Sequence, residues 1–355
     1  MLDGKQLLIR LTETAGGSGD EARVTRVLEE ATHALVNEST TDSVGNLTLL
    51  VKGEGESIHP RVMIAAHTDE ITLMVSKIEK GGFLRVAQVG GFDPRTLLGQ
   101  EVVVHGRDSL IGIIGSKPPH LSTLEERQKS IPLHELFIDL GMSEEHVLEV
   151  VTVGDRITMH RNTMQLLGDR MSGKAMDNRA SVTAMAICLD ELRKLRHTAD
   201  VFAVGTMQEE IGSKGAQTAA FGLMPDIAVA IDVCHGETPG VTSDLAKKLG
   251  AGPVLTLGPR IHPKLFTALK EIAQLENIPL QIEVSQGPTW TDADPMQIVQ
   301  VGIPTALLSI PLRYMHTSVE TLDFEDVRLT GVLLARFIAK IDAAFVEGLT
   351  CYLND

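Results

Sequence analysis

The sequence predicts a mixed α/β protein: a largely parallel sheet sandwiched by helices, with a small β-barrel-like domain inserted into it. Three observations lead there. Continuously apolar runs of strand length recur along the chain, helical stretches lie between them, and one Gly-rich region of short β-type runs breaks the rhythm. A strand covered by helices on both faces reads as an unbroken apolar run, and strand alternating with helix is the pattern of an α/β sheet.

From the N-terminus, Ser18-Gly19-Asp20-Glu21 reads as a capping box, with Ser18 as N-cap and Glu21 three residues on. Ala22, Val27, Leu28, Ala31 and Leu35 then recur at a helical period. Residues 42–46 read as a turn leading into a strand over 47–51. Val-Met-Ile-Ala-Ala at 62–66 is the first continuous apolar run, and 201–204, 227–231 and 305–310 repeat it. Helices are expected over 179–195, 263–276 and 324–346. The Gly-rich region holds short β-type runs at 100–104, 110–114 and 155–159 and a charged loop at 124–129. Residues 1–72 and 163–355 therefore read as one α/β domain, and 73–162 as a β-rich insertion.

Composition narrows the function. The chain has 355 residues and a formal charge of −15 from 32 Lys and Arg against 47 Asp and Glu. Neutralising a phosphate backbone takes clustered cations, so nucleic-acid binding is disfavoured. Aromatics at 3% leave little for stacking bases or sugar rings. Cys188, Cys234 and Cys351 are too far apart for a thiolate zinc knuckle, and odd in number, which suits reduced thiols in a cytoplasmic protein. The N-terminal stretch lacks the apolar core of a signal peptide. No apolar run approaches the ~18 residues of a membrane span.

Four of the apolar runs end in, or just before, a group that can bind metal. Residues 62–66 run into His67-Thr68-Asp69-Glu70, 201–206 into Met207-Gln208-Glu209-Glu210, 227–231 into Asp232, and 305–311 towards His316. Open α/β sheets bind ligands beyond the carboxyl ends of their strands, so these groups can share one crevice. Asp177, ahead of a helix starting near Asn178, is a fifth member, although an Asp there can also be a plain N-cap. Each piece alone has a mundane explanation; the joint pattern does not. Adjacent carboxylates after a buried strand repel unless a cation or proton offsets them. The set His67, Asp177, Glu210, Asp232 and His316 offers oxygen and nitrogen and no thiolate, suiting Zn²⁺, Co²⁺ or Mn²⁺. Five ligands exceed one open catalytic site and fit two ions that share a carboxylate.

The segments A-A-H-T-D-E-I (65–71), K-A-M-D-N-R-A-S (174–181), M-Q-E-E-I-G-S-K-G-A (207–216), A-I-D-V (230–233), T-D-A (291–293) and R-Y-M-H-T (313–317) resemble the TET-type, or deblocking, aminopeptidases, which include glutamyl aminopeptidases. L-F-I-D-L-G (136–141) and V-G-D (153–155) extend the resemblance into the insertion. It implies a zinc-exopeptidase type of fold with two divalent ions, Zn²⁺ or Co²⁺ with Mn²⁺ as an alternative. His67 and Asp232 would hold one ion, Glu210 and His316 the other, and Asp177 would bridge them. Asp69 would orient His67, and Glu209 would be the general base for a water lying between the ions. The implied reaction removes N-terminal residues from short peptides, in a homo-oligomer built of dimers, commonly a dodecamer. Where the family has a Gly-Gly-Thr-Asp-Ala type of segment, this chain reads Pro288-Thr289-Trp290-Thr291-Asp292-Ala293, and Thr317 stands where Ser is common. The alternatives are an endoglucanase-like glycosidase, whose chemistry would survive chelation, and an inactive binding or regulatory homologue.

Overall fold

The computed structural model describes residues 2–55, 59–242 and 244–349; Cys351 lies outside them. Its strands are β1 (Glu38–Thr41), β2 (Leu47–Val51), β3 (Arg61–His67), β4 (Thr72–Ile78), β5 (Leu84–Val89), β6 (Glu101–His105), β7 (Ser109–Gly115), β8 (Phe137–Asp139) and β9 (Arg156–Met159). There follow β10 (Met164–Gln165), β11 (Arg170–Gly173), β12 (Asp200–Thr206), β13 (Ile227–His235), β14 (Val254–Leu257), β15 (Gln281–Val284), β16 (Thr305–Leu312) and β17 (Glu320–Asp323).

The main sheet has the order β1-β2-β12-β3-β13-β16-β14-β15. Its centre, β12, β3, β13 and β16, is parallel throughout. β1, β2 and β14 join antiparallel, and β15 returns parallel to β14. The mixed, largely parallel sheet expected from the apolar runs is present. Side chains alternate across each strand, and two apolar layers result. Ile64, Val229 and Leu308 pack with Leu28, Met185, Leu189, Leu269 and Phe337, while Met63, Ala65 and Ala230 face Ala216, Ala220 and Met296 on the other side. The helix Met176–Leu192 is buried at every position except Ile187 and Glu191, as befits a helix without a polar face.

β4 to β9 close into a separate barrel, in the order β4-β5-β8-β7-β6-β9, around Leu73, Val75, Leu84, Val102, Val104, Ile138 and Ile157. It leaves the main sheet directly after β3. A small sheet, β10-β11-β17, follows it.

Three local expectations are corrected. The helix Ala22–Thr32 has no side-chain cap from Ser18 or Glu21. Ser18 Oγ donates instead to Asp69, and Glu21 accepts the amides of Gly19 and Gln208; the tertiary acceptor displaces the local one. The helix expected over 324–346 is two, Phe324–Ile338 and Ala343–Glu347. Asp342 caps the second by accepting the Phe345 amide, which starts a new helix where the chain turns. Residues 124–129, read as a loop, contain a short helix at Leu124–Arg127.

Candidate metal centre

Parallel strands end on one side of their sheet, so the residues following β3, β12, β13 and β16 share an edge. His67 closes β3 and lies in register with Thr206 at the end of β12, three residues before Glu209. Asp232 lies in register with Ser309 of β16, and His316 follows β16 in a left-handed conformation, φ 62°. Asp177 comes from a different layer. The helix Met176–Leu192 has non-helical torsions at Asp177 and Asn178, with a cis peptide between them. Asn178 Nδ2 donates to the Ile231 carbonyl, tying that bend beside Asp232.

The five expected ligands come together in two overlapping groups. His67, Asp177 and Asp232 form one, and Asp177, Glu210 and His316 the other; within each, potential ligand atoms lie within 4.8 Å of one another. His67 Nε2 is 3.2 Å from Asp177 Oδ1 and 3.9 Å from Asp232 Oδ1. His316 Nε2 is 3.4 Å from Asp177 Oδ2 and 3.5 Å from Glu210 Oε2. The two oxygens of Asp177 thus face the two histidines. Asp69 lies behind His67, whose Nδ1 is 3.2 Å from the Asp69 carbonyl and 3.4 Å from its carboxylate. Those acceptors orient the ring so that Nε2 faces the acid cluster. Glu209 Oε2 is 3.9 Å from His67 Nε2, and its Oε1 accepts from Ser213 Oγ at 3.1 Å.

The electrostatics show how strongly these acids crowd one another. Burial, with added repulsion from Asp177, pushes Glu210 and Asp232 well above the ordinary carboxylate range. Burial, reinforced by Asp292, Asp177 and Asp69, raises Glu209 to about 7. Burial opposes the charged form of His67, yet hydrogen bonding to Asp177 and Asp69 holds it well above its usual value. Asp177 also loses solvation, but the two histidines keep it below its usual range. Without cations, protons must relieve the crowding of these acids. Divalent cations would relieve it too, and the oxygen and nitrogen donors fit them. Cys234 lines the adjoining cavity, and burial raises its thiol well above the usual range.

The centre floors an open cavity of about 790 Å³, walled by Val233, Leu307, Met315, Trp290 and Ile298. Trp290 is 83% exposed, held at φ 56° where Asp294 accepts its amide. It is a rim residue and not a packing residue. Asp292, in the T-D-A segment, is buried and accepts from Thr206 Oγ1 at 2.5 Å; burial raises it to about 6. Sequence reasoning missed Glu320, buried behind Asp177 and His316, and the buried pair of Lys174 Nζ with both Glu70 oxygens at 2.8 and 2.7 Å. Lys174 lies within a recognised segment, and its cationic type beside an acid cluster was the available signal. For Glu320, four residues after His316, sequence carried none.

Imidazoles and carboxylates crowded at the carboxyl edge of a parallel sheet are a donor set that suits a metallohydrolase. The family description M42 glutamyl aminopeptidase matches residues 45–333, and the chain belongs to that family; it is an aminopeptidase. It is 36% identical over 345 residues to the lysyl aminopeptidase of Pyrococcus furiosus, covering 95% of this chain and 97% of the relative. Among solved structures, the aminopeptidase APDkam598 of the archaeon Desulfurococcus kamchatkensis superposes with TM-score 0.91 at 37% identity, with 99% of both chains covered. The TET1 peptidase of Pyrococcus horikoshii, which can assemble into a tetrahedron or a large octahedral shell, gives 0.83 at 32% identity, with 96% of this chain and all (100%) of that one covered.

Proposed function

We propose that the chain removes N-terminal residues from short peptides by dinuclear metal-dependent hydrolysis. One observation carries the reading: a single carboxylate, Asp177, presents one oxygen to each of two histidine-centred groups on the cavity floor. His67 and Asp232 would hold one ion and Glu210 and His316 the other, with Asp177 common to both; Zn²⁺ or Co²⁺ suits the donors, with Mn²⁺ as an alternative. Such ions supply an acidified water and a polarised carbonyl. The protein supplies the rest. Glu209, which lines the cavity with its Oε2 3.9 Å from His67 Nε2, can take a proton from the attacking water and return it to the leaving amine. Ser213 fixes the orientation of that carboxylate, and Asp69 fixes the ring of His67.

Glu209→Gln tests the assignment. Activity on aminoacyl-p-nitroanilides should fall about 10²- to 10⁴-fold with metal content unchanged; near-normal turnover removes Glu209 from the mechanism. Residues 73–162, the barrel region, are proposed as a domain for assembly and access, in a homo-oligomer of dimers reaching a dodecamer, as the TET likeness suggests. Light scattering that gives a monomer at micromolar concentration would reject that assembly.

A further inference from the structure

Building on the dinuclear reading, we infer that Glu320 is a positioning residue that clamps the backbones of two metal ligands, Asp177 and His316, and so sets the affinity of the ion they share. Glu320 is buried, 2% exposed. Its Oε1 accepts the His316 amide at 2.7 Å and its Oε2 the Asp177 amide at 3.1 Å. The first bond spans four residues and the second 143, so one carboxylate joins two distant segments. β17, which begins with Glu320, pairs antiparallel with β11 and sets Glu320 opposite Gly173, just ahead of the Asp177 bend. The clamped positions need holding. His316 sits at φ 62°, a conformation costly for a side chain with a Cβ, and Asp177 lies where its helix is non-helical.

A structural cap alone would not call for a carboxylate here. A buried acid beside Asp177 adds repulsion to a centre already crowded with acids. Holding both amides takes two acceptor oxygens on one side chain. Gln would turn an N–H against an N–H, and Asp falls one methylene short. Asp177 and His316 make up two of three ligands in the group with Glu210, but only one of three in the group with His67 and Asp232. Loss of the clamp therefore weakens the Glu210-side ion more than the other.

The test uses metal-free full-length protein titrated with Zn²⁺, read by calorimetry and by bound metal after dialysis, for wild type, Glu320→Gln and Glu320→Asp. Wild type should bind two ions. The variants should keep one ion within about threefold while the other loses at least tenfold in affinity, with an unchanged far-UV spectrum. Two unchanged affinities, or equal weakening of both, overturns the assignment. So does failure of both variants to fold, which would make Glu320 a general structural residue. Wild type that binds fewer than two ions overturns the dinuclear reading itself and this inference with it.

Discussion

Asp69 accepts from several donors at once. Its Oδ2 takes Ser18 Oγ at 2.5 Å and the Glu210 amide at 3.2 Å, its Oδ1 takes the Glu209 amide at 3.0 Å, and His67 Nδ1 lies beside it. One buried carboxylate thus orients a proposed ligand and also holds the backbone of the proposed base and of a second ligand. Burial works against its charge, but His67 and Ser18 outweigh that and keep Asp69 below the ordinary range. Asp69→Asn should therefore lose affinity for both ions, about 10- to 100-fold, measured by competition with a chelator. Loss confined to the ion on His67 would show that the contacts to Glu209 and Glu210 are idle. The paired roles of Asp69 were half legible. The His-x-Asp spacing marked its place beside the imidazole, but its hold on Glu209 and Glu210 spans 140 and 141 residues and leaves no trace in local sequence.

At the scale of elements, helix packing fixes how β12 delivers Glu209 and Glu210. The helix Lys214–Leu223 starts so close to the strand end that a Cβ on Gly215 would sit 2.4 Å from the Met207 carbonyl oxygen and 2.5 Å from Asn46 Oδ1. Backbone cannot yield as a flexible side chain can. Gly215→Ala should cost roughly 1–3 kcal/mol of stability through overpacking and lower turnover, because the shift falls two residues before Glu209. A denaturation midpoint and kcat both equal to wild type would refute this. The apolar runs predicted β3, β12, β13 and β16 well, because strands covered on both faces carry a continuous signal. The capping box failed for the opposite reason. Ser18 and Glu21 have the right local chemistry, but Asp69 and the Gln208 amide compete for the same atoms.

For the whole molecule, the acid cluster couples folding to metal and pH. Glu209 is raised to about 7, with Glu210 and Asp232 raised well above their ordinary values. Such carboxylates cost nothing while protonated in both states, and the cost of ionising them in the fold grows as pH rises from the unfolded pKa to the folded one. His67, also raised, contributes stability below its unfolded pKa and loses it as pH climbs through the folded value. The two signs agree. Metal-free protein should melt at a lower temperature at pH 8 than at pH 6, and added Zn²⁺ should reverse the order, since ions replace the protons. Thermal scans of chelator-treated and metal-loaded protein at both pH values measure it; a metal-free protein more stable at pH 8 contradicts the electrostatic picture. Among the described residues no helix is long and apolar enough to cross a membrane.

What the sequence determined by itself was the layered sheet, the interrupting barrel and the identity of the five candidate ligands. These follow from periodicity, apolar runs and motifs, which are properties of neighbouring residues. Only the tertiary structure decided that Asp177 turns one oxygen to each histidine, that Glu320 ties its amide to that of His316, and that Trp290 stands at the rim. Such facts depend on where segments more than a hundred residues apart are packed against one another, and burial then decides which charges each carboxylate must balance.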